Sequence, residues 1–169
     1  KPVIIRSVVD PKQTSSPNID RQVREALRDG QGLYRIDEAL LRRLDPDLIL
    51  TQSLCDVCAV TPTEVTRVLA GLVRRPQMIS LDATDLQGIF RDIEAIGVAT
   101  GRDAQARRLV DALTGRLAKV RALVEGETPR RVACTEWLEP LYRAGHWAPE
   151  MVTLAGGAEP LATAGAPRS

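Results

Sequence analysis

Three side chains that could hold a flat ligand with polar edges lie close together late in the sequence. They are Trp137, His146 and Trp147, and Tyr142 lies between them. The whole chain has two Trp and one His in a composition with 3% aromatic residues, so this grouping is a local feature. Indole and imidazole rings combine an apolar face with a polar edge. We predict that this segment contacts a ligand, and the alternative is that both Trp side chains are ordinary core residues.

A second group of residues directly follows an apolar run that ends at Thr51. It comprises Gln52, Ser53, Leu54 and Cys55. In open α/β sheets, ligands bind beyond the carboxyl ends of the strands. We therefore predict that these four residues also contact ligand, and the alternative is a tight turn between strand and helix.

The thiols of Cys55 and Cys58 form a C-x-x-C pair that permits other chemistry. A redox pair needs the first Cys at a helix N-terminus, whereas Pro62 indicates that the next helix starts several residues later. A zinc site needs two further ligands, for which Cys134 and His146 are available. A thiol or metal-handling domain built on Cys55 and Cys58 therefore stays an alternative hypothesis.

Composition and motifs narrow the function classes. With a formal net charge of +1 and a pI of about 7.9, the chain lacks the strong positive charge that is typical of nucleic-acid-binding proteins. No apolar run approaches the length of a bilayer-spanning helix. The sequence has no G-x-G-x-x-G, P-loop, G-x-S-x-G or H-E-x-x-H motif, which counts against a nucleotide enzyme. We expect that the protein is not an enzyme.

The elements that position these residues alternate between strand and helix. Apolar runs predict strands at 2–9, 33–36, 47–52, 78–81 and 130–134. Helical periodicity and capping residues predict helices at 19–28, 37–44, 62–73, 84–100, 103–126 and after Pro149. The alternation favours an α/β fold with parallel, doubly wound sheets, and the first strand reads as buried. The segment from Trp137 to Trp147 is predicted to be a loop between a strand and a helix.

Three stretches together resemble the class III periplasmic-binding family, the cobalamin- and iron-siderophore-binding components of ABC importers. They are RIDEALLRRLDPDLILTQ, SLDATDLQGIFRDIEAIG and EWLEPLYRAGHWAPEMVTLAGG. The resemblance is closest to the cobalamin-binding branch, on SLCDVCAV at 53–60 and GHWAPE at 145–150.

This resemblance implies two Rossmann-like α/β lobes joined by a long helix, with ligand bound in the cleft between them. We expect an N-terminal lobe at 1–83 that lacks its first elements, connecting helices at 84–126, and an incomplete C-terminal lobe at 127–169. Gln52, Ser53, Leu54 and Cys55 would form one wall of the cleft. Trp137, His146 and Trp147 would form the other wall. We expect the imidazole of His146 to bond to backbone.

The implied function is capture of a corrinoid outside the cytoplasm, in the periplasm or at the cell surface, and delivery to a membrane permease. Cobalamin would be the bound ligand, and no resident cofactor or metal is expected. Haem or a siderophore is the alternative ligand within the same family. A sensor or cytoplasmic binding module that works without a transporter is a further alternative.

Overall fold

The computed structural model describes residues 2–9, 15–29, 32–52, 54, 60, 62–161 and 165–166, without the side chains of 62–64. It is a mixed α/β structure that divides into two compact units, Lys1–Asp82 and Ala83–Ser169. None of the described helices is long and apolar enough to cross a membrane.

The described residues of unit 1 form four strands and three helices. They are β1 Ile5–Ser7, α1 Ser16–Arg28, β2 Tyr34–Ile36, α2 Glu38–Leu44, β3 Leu48–Thr51, α3 Pro62–Ala70 and β4 Gln77–Ser80. Strands β3 and β4 pair in parallel, with Leu50 opposite Ile79, as the sequence predicted. Strands β1 and β2 instead pair antiparallel, with Ile5 opposite Ile36. The prediction of purely parallel sheets is therefore wrong for this pair.

The prediction that the first strand is buried is also wrong. All three residues of β1 are exposed, and Ile5 keeps 50% of its surface accessible. The described core of unit 1 lies instead among Val9, Leu33, Leu41, Val60, Val65 and Val68. An apolar run predicts burial only when another element covers it, and within the described residues of this chain β1 is left open.

Unit 2 begins with two long helices, α4 Leu86–Ala99 and α5 Asp103–Val124. Gly101, with φ +64°, separates them. The amide of Arg102 donates to the carbonyl of Gly97 at 2.7 Å, and the amide of Gly101 donates to Val98 at 3.2 Å. These two bonds form a Schellman motif, which needs the left-handed conformation that glycine adopts without strain. The predicted break at Gly101 is confirmed.

The remainder of unit 2 is built from short elements. They are β5 Arg130–Arg131, β6 Thr135–Leu138, β7 Leu141–Arg143, α6 Ala148–Leu154 and β8 Gly157–Ala158. Strand β5 pairs in parallel with β8, and β6 pairs antiparallel with β7. Leu86, Phe90, Ala106 and Ala144 are the buried apolar residues described in this unit.

Candidate functional site

The segment that carries the aromatic residues is a β-hairpin followed by a turn and a helix, and not the loop that the sequence predicted. Strands β6 and β7 are joined by a two-residue connection, Glu139–Pro140, whose peptide bond is cis. Glu-Pro is not one of the dipeptides that typically mark a two-residue hairpin turn, so the sequence contained no specific signal for this hairpin.

The pairing of the hairpin sorts its side chains onto two faces. Trp137 lies opposite Tyr142, and Leu138 lies opposite Leu141. Directly opposed residues of an antiparallel pair share a face, and the next pair along the strands points to the other face. Trp137 and Tyr142 are half-buried, whereas Leu138 and Leu141 are 80% and 63% exposed. The hairpin therefore exposes an aliphatic pair, Leu138 and Leu141, that was not among the site residues predicted from the sequence.

A β-bulge at Glu136 connects the hairpin to the turn that follows it. The pairing register shifts between Thr135 and Trp137, so Glu136 is the extra residue on β6. Its carboxylate accepts a hydrogen bond of 3.2 Å from the amide of Gly145. The base of the hairpin is further fixed by the Glu159 carboxylate, which accepts from the amide of Cys134 at 2.7 Å. Both bonds hold the start of the hairpin in place beside the His146 turn.

His146 occupies that turn in the left-handed region, with φ +54°. Its backbone is held on both sides, since its amide donates to Ala166 at 2.7 Å and its carbonyl accepts from Gly165 at 2.9 Å. The imidazole does not follow the expectation of a bond to backbone at Nδ1. That nitrogen is buried and has no hydrogen-bond partner in the part of the chain that the structure describes.

Trp147 follows as the N-cap residue of α6. Its ring lies 5.9 Å from the His146 ring, centroid to centroid, with the two planes inclined by 38°. The structure thus brings His146 and Trp147 together as a tilted ring pair. Both side chains are half-buried, so each keeps some accessible surface for a ligand.

The residues predicted after β3 lie in unit 1. Gln52 and Leu54 are half-buried, while Ser53, Cys55 and Cys58 fall outside the described residues. Gln52 and Thr51 line a cavity of about 480 Å³ whose other lining residues are mainly aliphatic, among them Ile5, Leu41 and Val68. An apolar cavity with a few polar groups at its edge is typical of small-molecule sites.

The thiol and metal alternative has little support in the described part of the chain. Cys134 is a half-buried free thiol. Across the described ranges there is no group of three or more His, Cys, Asp and Glu side chains that could hold a metal ion. The two Cys residues that define this hypothesis are themselves outside those ranges.

Ion pairs near this cavity are surface features of unit 1. Glu38 accepts from Arg67 at 2.7 Å and from Arg42 at 2.8 Å, which links α2 to α3. The hydrogen bond from Arg67, together with the two positive charges, lowers the pKa of Glu38. Hydrogen bonding to Asp45, with the negative charges of Asp45 and Asp47, raises the pKa of Arg74. These ion pairs join helices and loops within unit 1.

The solved structures that match this chain are substrate- or ligand-binding proteins of similar fold. No protein-family profile and no curated protein matches the sequence. Among solved structures, the chain is similar to the periplasmic vitamin B12-binding protein BtuF of Vibrio cholerae, with a TM-score of 0.60 and 21% identity. That match covers 80% of this chain and 51% of BtuF.

Two further solved structures are similar to the chain. An ABC transporter substrate-binding protein from Listeria monocytogenes has a TM-score of 0.57 and 21% identity, over 73% of this chain and 46% of that protein. The siderophore-binding protein FhuD of Vibrio cholerae, solved with Fe³⁺-Desferal, has a TM-score of 0.57 and 16% identity, over 80% of this chain and 53% of FhuD.

The chain therefore spans about half the length of the structures it matches. The printed names of these three proteins describe binding of vitamin B12, of an ABC transporter substrate and of a siderophore. The resemblance read from the sequence motifs is confirmed at the level of fold. The chain is structurally similar to about half of a class III periplasmic binding protein.

Proposed function

We propose that this chain belongs to the substrate-binding component of an ABC importer, and that its ligand is a corrinoid related to cobalamin. The observation that carries the proposal is the hairpin and helix of unit 2, which holds Trp137, His146 and Trp147 in one short stretch of a chain with this fold. A macrocycle with a broad apolar surface and amide groups at its edge suits such a set of side chains. Delivery to a membrane permease, outside the cytoplasm, follows from the same family resemblance.

Within this proposal, Trp137, His146 and Trp147 contact the ligand. The contacts predicted from the sequence at Gln52, Ser53, Leu54 and Cys55 remain part of the proposal. The buried Nδ1 of His146 supports a role for this side chain, because an unpaired nitrogen gains a hydrogen bond if a ligand or a water reaches it. The helices at 84–126 serve as the connection between two lobes, and 127–169 form part of the second lobe.

Haem or a ferric siderophore is the second ligand class that we consider. The observation that favours it is the similarity to FhuD, whose TM-score is close to that of the B12-binding protein. The fold is common to binders of different ligands, so it does not choose among them.

Calorimetric titration of this chain, and of any longer form of the protein, with cyanocobalamin, haemin and ferric desferrioxamine tests the proposal. We expect saturable heat with cyanocobalamin and a matching change in its visible spectrum. Binding of haemin or ferric desferrioxamine alone would replace the corrinoid by that ligand. Binding of none of the three by the longest available form would overturn the transport proposal.

A further inference from the structure

Glu150 and Leu86 form a hydrogen bond that the sequence does not foreshadow. The carboxylate of Glu150, through Oε2, accepts from the backbone amide of Leu86 at 2.8 Å in a partly buried setting. The two residues are 64 positions apart in the chain. Leu86 is the first residue of α4, and Glu150 lies in the first turn of α6.

This bond satisfies an amide that α4 itself leaves free. The first amides of a helix have no carbonyl partner within the helix, and negative charge near them is favoured by the helix dipole. The Asp85 carboxylate accepts a hydrogen bond from the amide of Gly88 at 2.6 Å, and the Glu150 carboxylate accepts one from the amide of Leu86. Hydrogen bonds from a neutral donor to an ionised carboxylate are stronger than those between neutral groups. The start of α4 is thus capped by two carboxylates, one local and one distant.

Glu150 does not make the local hydrogen bond that its position in α6 predicts. A Glu at the third position of a helix commonly reaches back to the N-cap residue of the same helix. Here the N-cap residue is Trp147, which provides no side-chain cap, and the Glu150 carboxylate bonds to another helix. The carbonyl of Trp147 accepts from the amide of Met151 at 3.0 Å, so Trp147 belongs to the same first turn as Glu150. The backbone of Trp147 and the carboxylate that bonds to α4 thus belong to one helical turn.

We propose that Glu150 is a positioning residue: by anchoring the first turn of α6 to the start of α4, it sets the orientation of Trp147. The orienting role stands on the hydrogen bond alone. Its consequence for ligand affinity rests on the proposed function, in which Trp147 contacts the ligand. Ala148 and Pro149 are the only residues between Trp147 and Glu150, so the anchor acts within one helical turn.

The first test leaves ligand out. Trp147 is made the only tryptophan by Trp137→Phe, and Glu150→Ala and Glu150→Gln are introduced separately in that background. Glu94→Gln is the matched control, because Glu94 is an exposed glutamate of α4. We expect deuterium exchange at the Leu86 amide to rise roughly fivefold in Glu150→Ala, the change expected on losing one side-chain cap. Acrylamide quenching of Trp147 fluorescence should change in the same variant and stay constant in Glu94→Gln.

The glutamine variant separates positioning from folding. Its amide oxygen can still accept from Leu86, so Glu150→Gln should restore most of the wild-type exchange and quenching, and it remains informative if Glu150→Ala does not fold. Faster exchange at Leu86 without any change in Trp147 quenching would overturn the proposal, since Glu150 would then only cap α4. Wild-type exchange at Leu86 in Glu150→Ala would overturn it as well.

The second test adds cyanocobalamin to proteins that retain both tryptophans. We expect Glu150→Ala to weaken cyanocobalamin binding about tenfold, because Trp147 would no longer be held in its binding orientation. Glu150→Gln should weaken binding less. If the wild-type protein does not bind but the quenching difference is present, the positioning role holds and the proposed function fails. If the wild type and Glu150→Ala bind equally, the link between Trp147 orientation and the ligand is refuted.

Discussion

The indole N–H of Trp137 donates a hydrogen bond of 2.9 Å to the backbone carbonyl of Glu139, two residues further along the hairpin. The donor of this side chain is thereby used inside the protein, at the connection between β6 and β7. What Trp137 can offer a ligand is the apolar face of its ring. A tryptophan whose N–H is satisfied internally contributes by packing and not by hydrogen bonding.

Because the indole N–H already bonds to Glu139, two substitutions of Trp137 should differ in their effect on ligand affinity. Trp137→Phe keeps an aromatic face and loses only the bond to Glu139, so we expect cobalamin affinity to fall by no more than about threefold. Trp137→Ala removes the face, and we expect a loss of roughly tenfold or more. Calorimetric titration measures both. Leu123→Ala, at an α5 residue that is 81% exposed, is the control for a large apolar truncation. Equal losses for the two Trp137 variants would show that the N–H matters after all.

Packing in unit 1 is tested by two identical changes on and after α3. Val68 is 1% exposed and Val73 is 99% exposed. Val68→Ala leaves a cavity in the core, and we expect the free energy of unfolding to drop by about 2 kcal/mol. Val73→Ala should change it by less than about 0.5 kcal/mol. Urea unfolding followed by circular dichroism gives both values. A Val68→Ala protein as stable as wild type would contradict the described core of this unit.

The contact between α4 and α5 requires a glycine. A Cβ added at Gly97 would collide with the Cβ of Ala106, whereas one added at Gly115 meets no described atom within 4 Å. Gly97→Ala should therefore lower the free energy of unfolding by about 1–3 kcal/mol through overpacking. Gly115→Ala should raise it by roughly 0.5–1 kcal/mol, because alanine favours the helix. Thermal unfolding of the two variants should shift in opposite directions, and a shared direction would argue against the described helix pair.

Acid should weaken unit 1 through Glu38. The hydrogen bond and charge of Arg67, with the charge of Arg42, lower the Glu38 pKa from its ordinary 4.5, so the folded state favours the carboxylate more than the unfolded state does. The resulting stabilisation is complete above 4.5 and is lost as the pH falls through the folded pKa. Glu38→Gln should thus lower the melting temperature near neutral pH, and the difference from wild type should shrink at about pH 3.

Glu25→Gln serves as the comparison for this pH profile, because Glu25 is an exposed glutamate of α1 in the same unit. Its melting temperature should follow the wild-type profile throughout. A gap between wild type and Glu38→Gln that stayed constant across the acid range would mean that protonation of Glu38 does not contribute.

The sequence by itself determined much of the local structure. Asp37 was a predictable helix cap, and Thr84 or Asp85 was a candidate cap for α4. Asp37 and Asp85 each accept a hydrogen bond from an amide in the first turn of their helix. Gly101 was a predictable break, and helical periodicity identified α4 and α5. These features depend on residues within a few positions of one another, so the sequence contains all the partners. The resemblance to class III periplasmic binding proteins was found from the order of short motifs along the chain.

Only the tertiary structure decided the features that depend on distant partners. An apolar alternation is the same whether a strand pairs parallel or antiparallel, so the direction of β1 against β2 was open, and so was the exposure of Ile5. The bond from Leu86 to Glu150 joins residues 64 positions apart, and a helix-start glutamate predicts a local bond instead. The choice between such partners is made by the packing of the whole unit, which no local pattern contains.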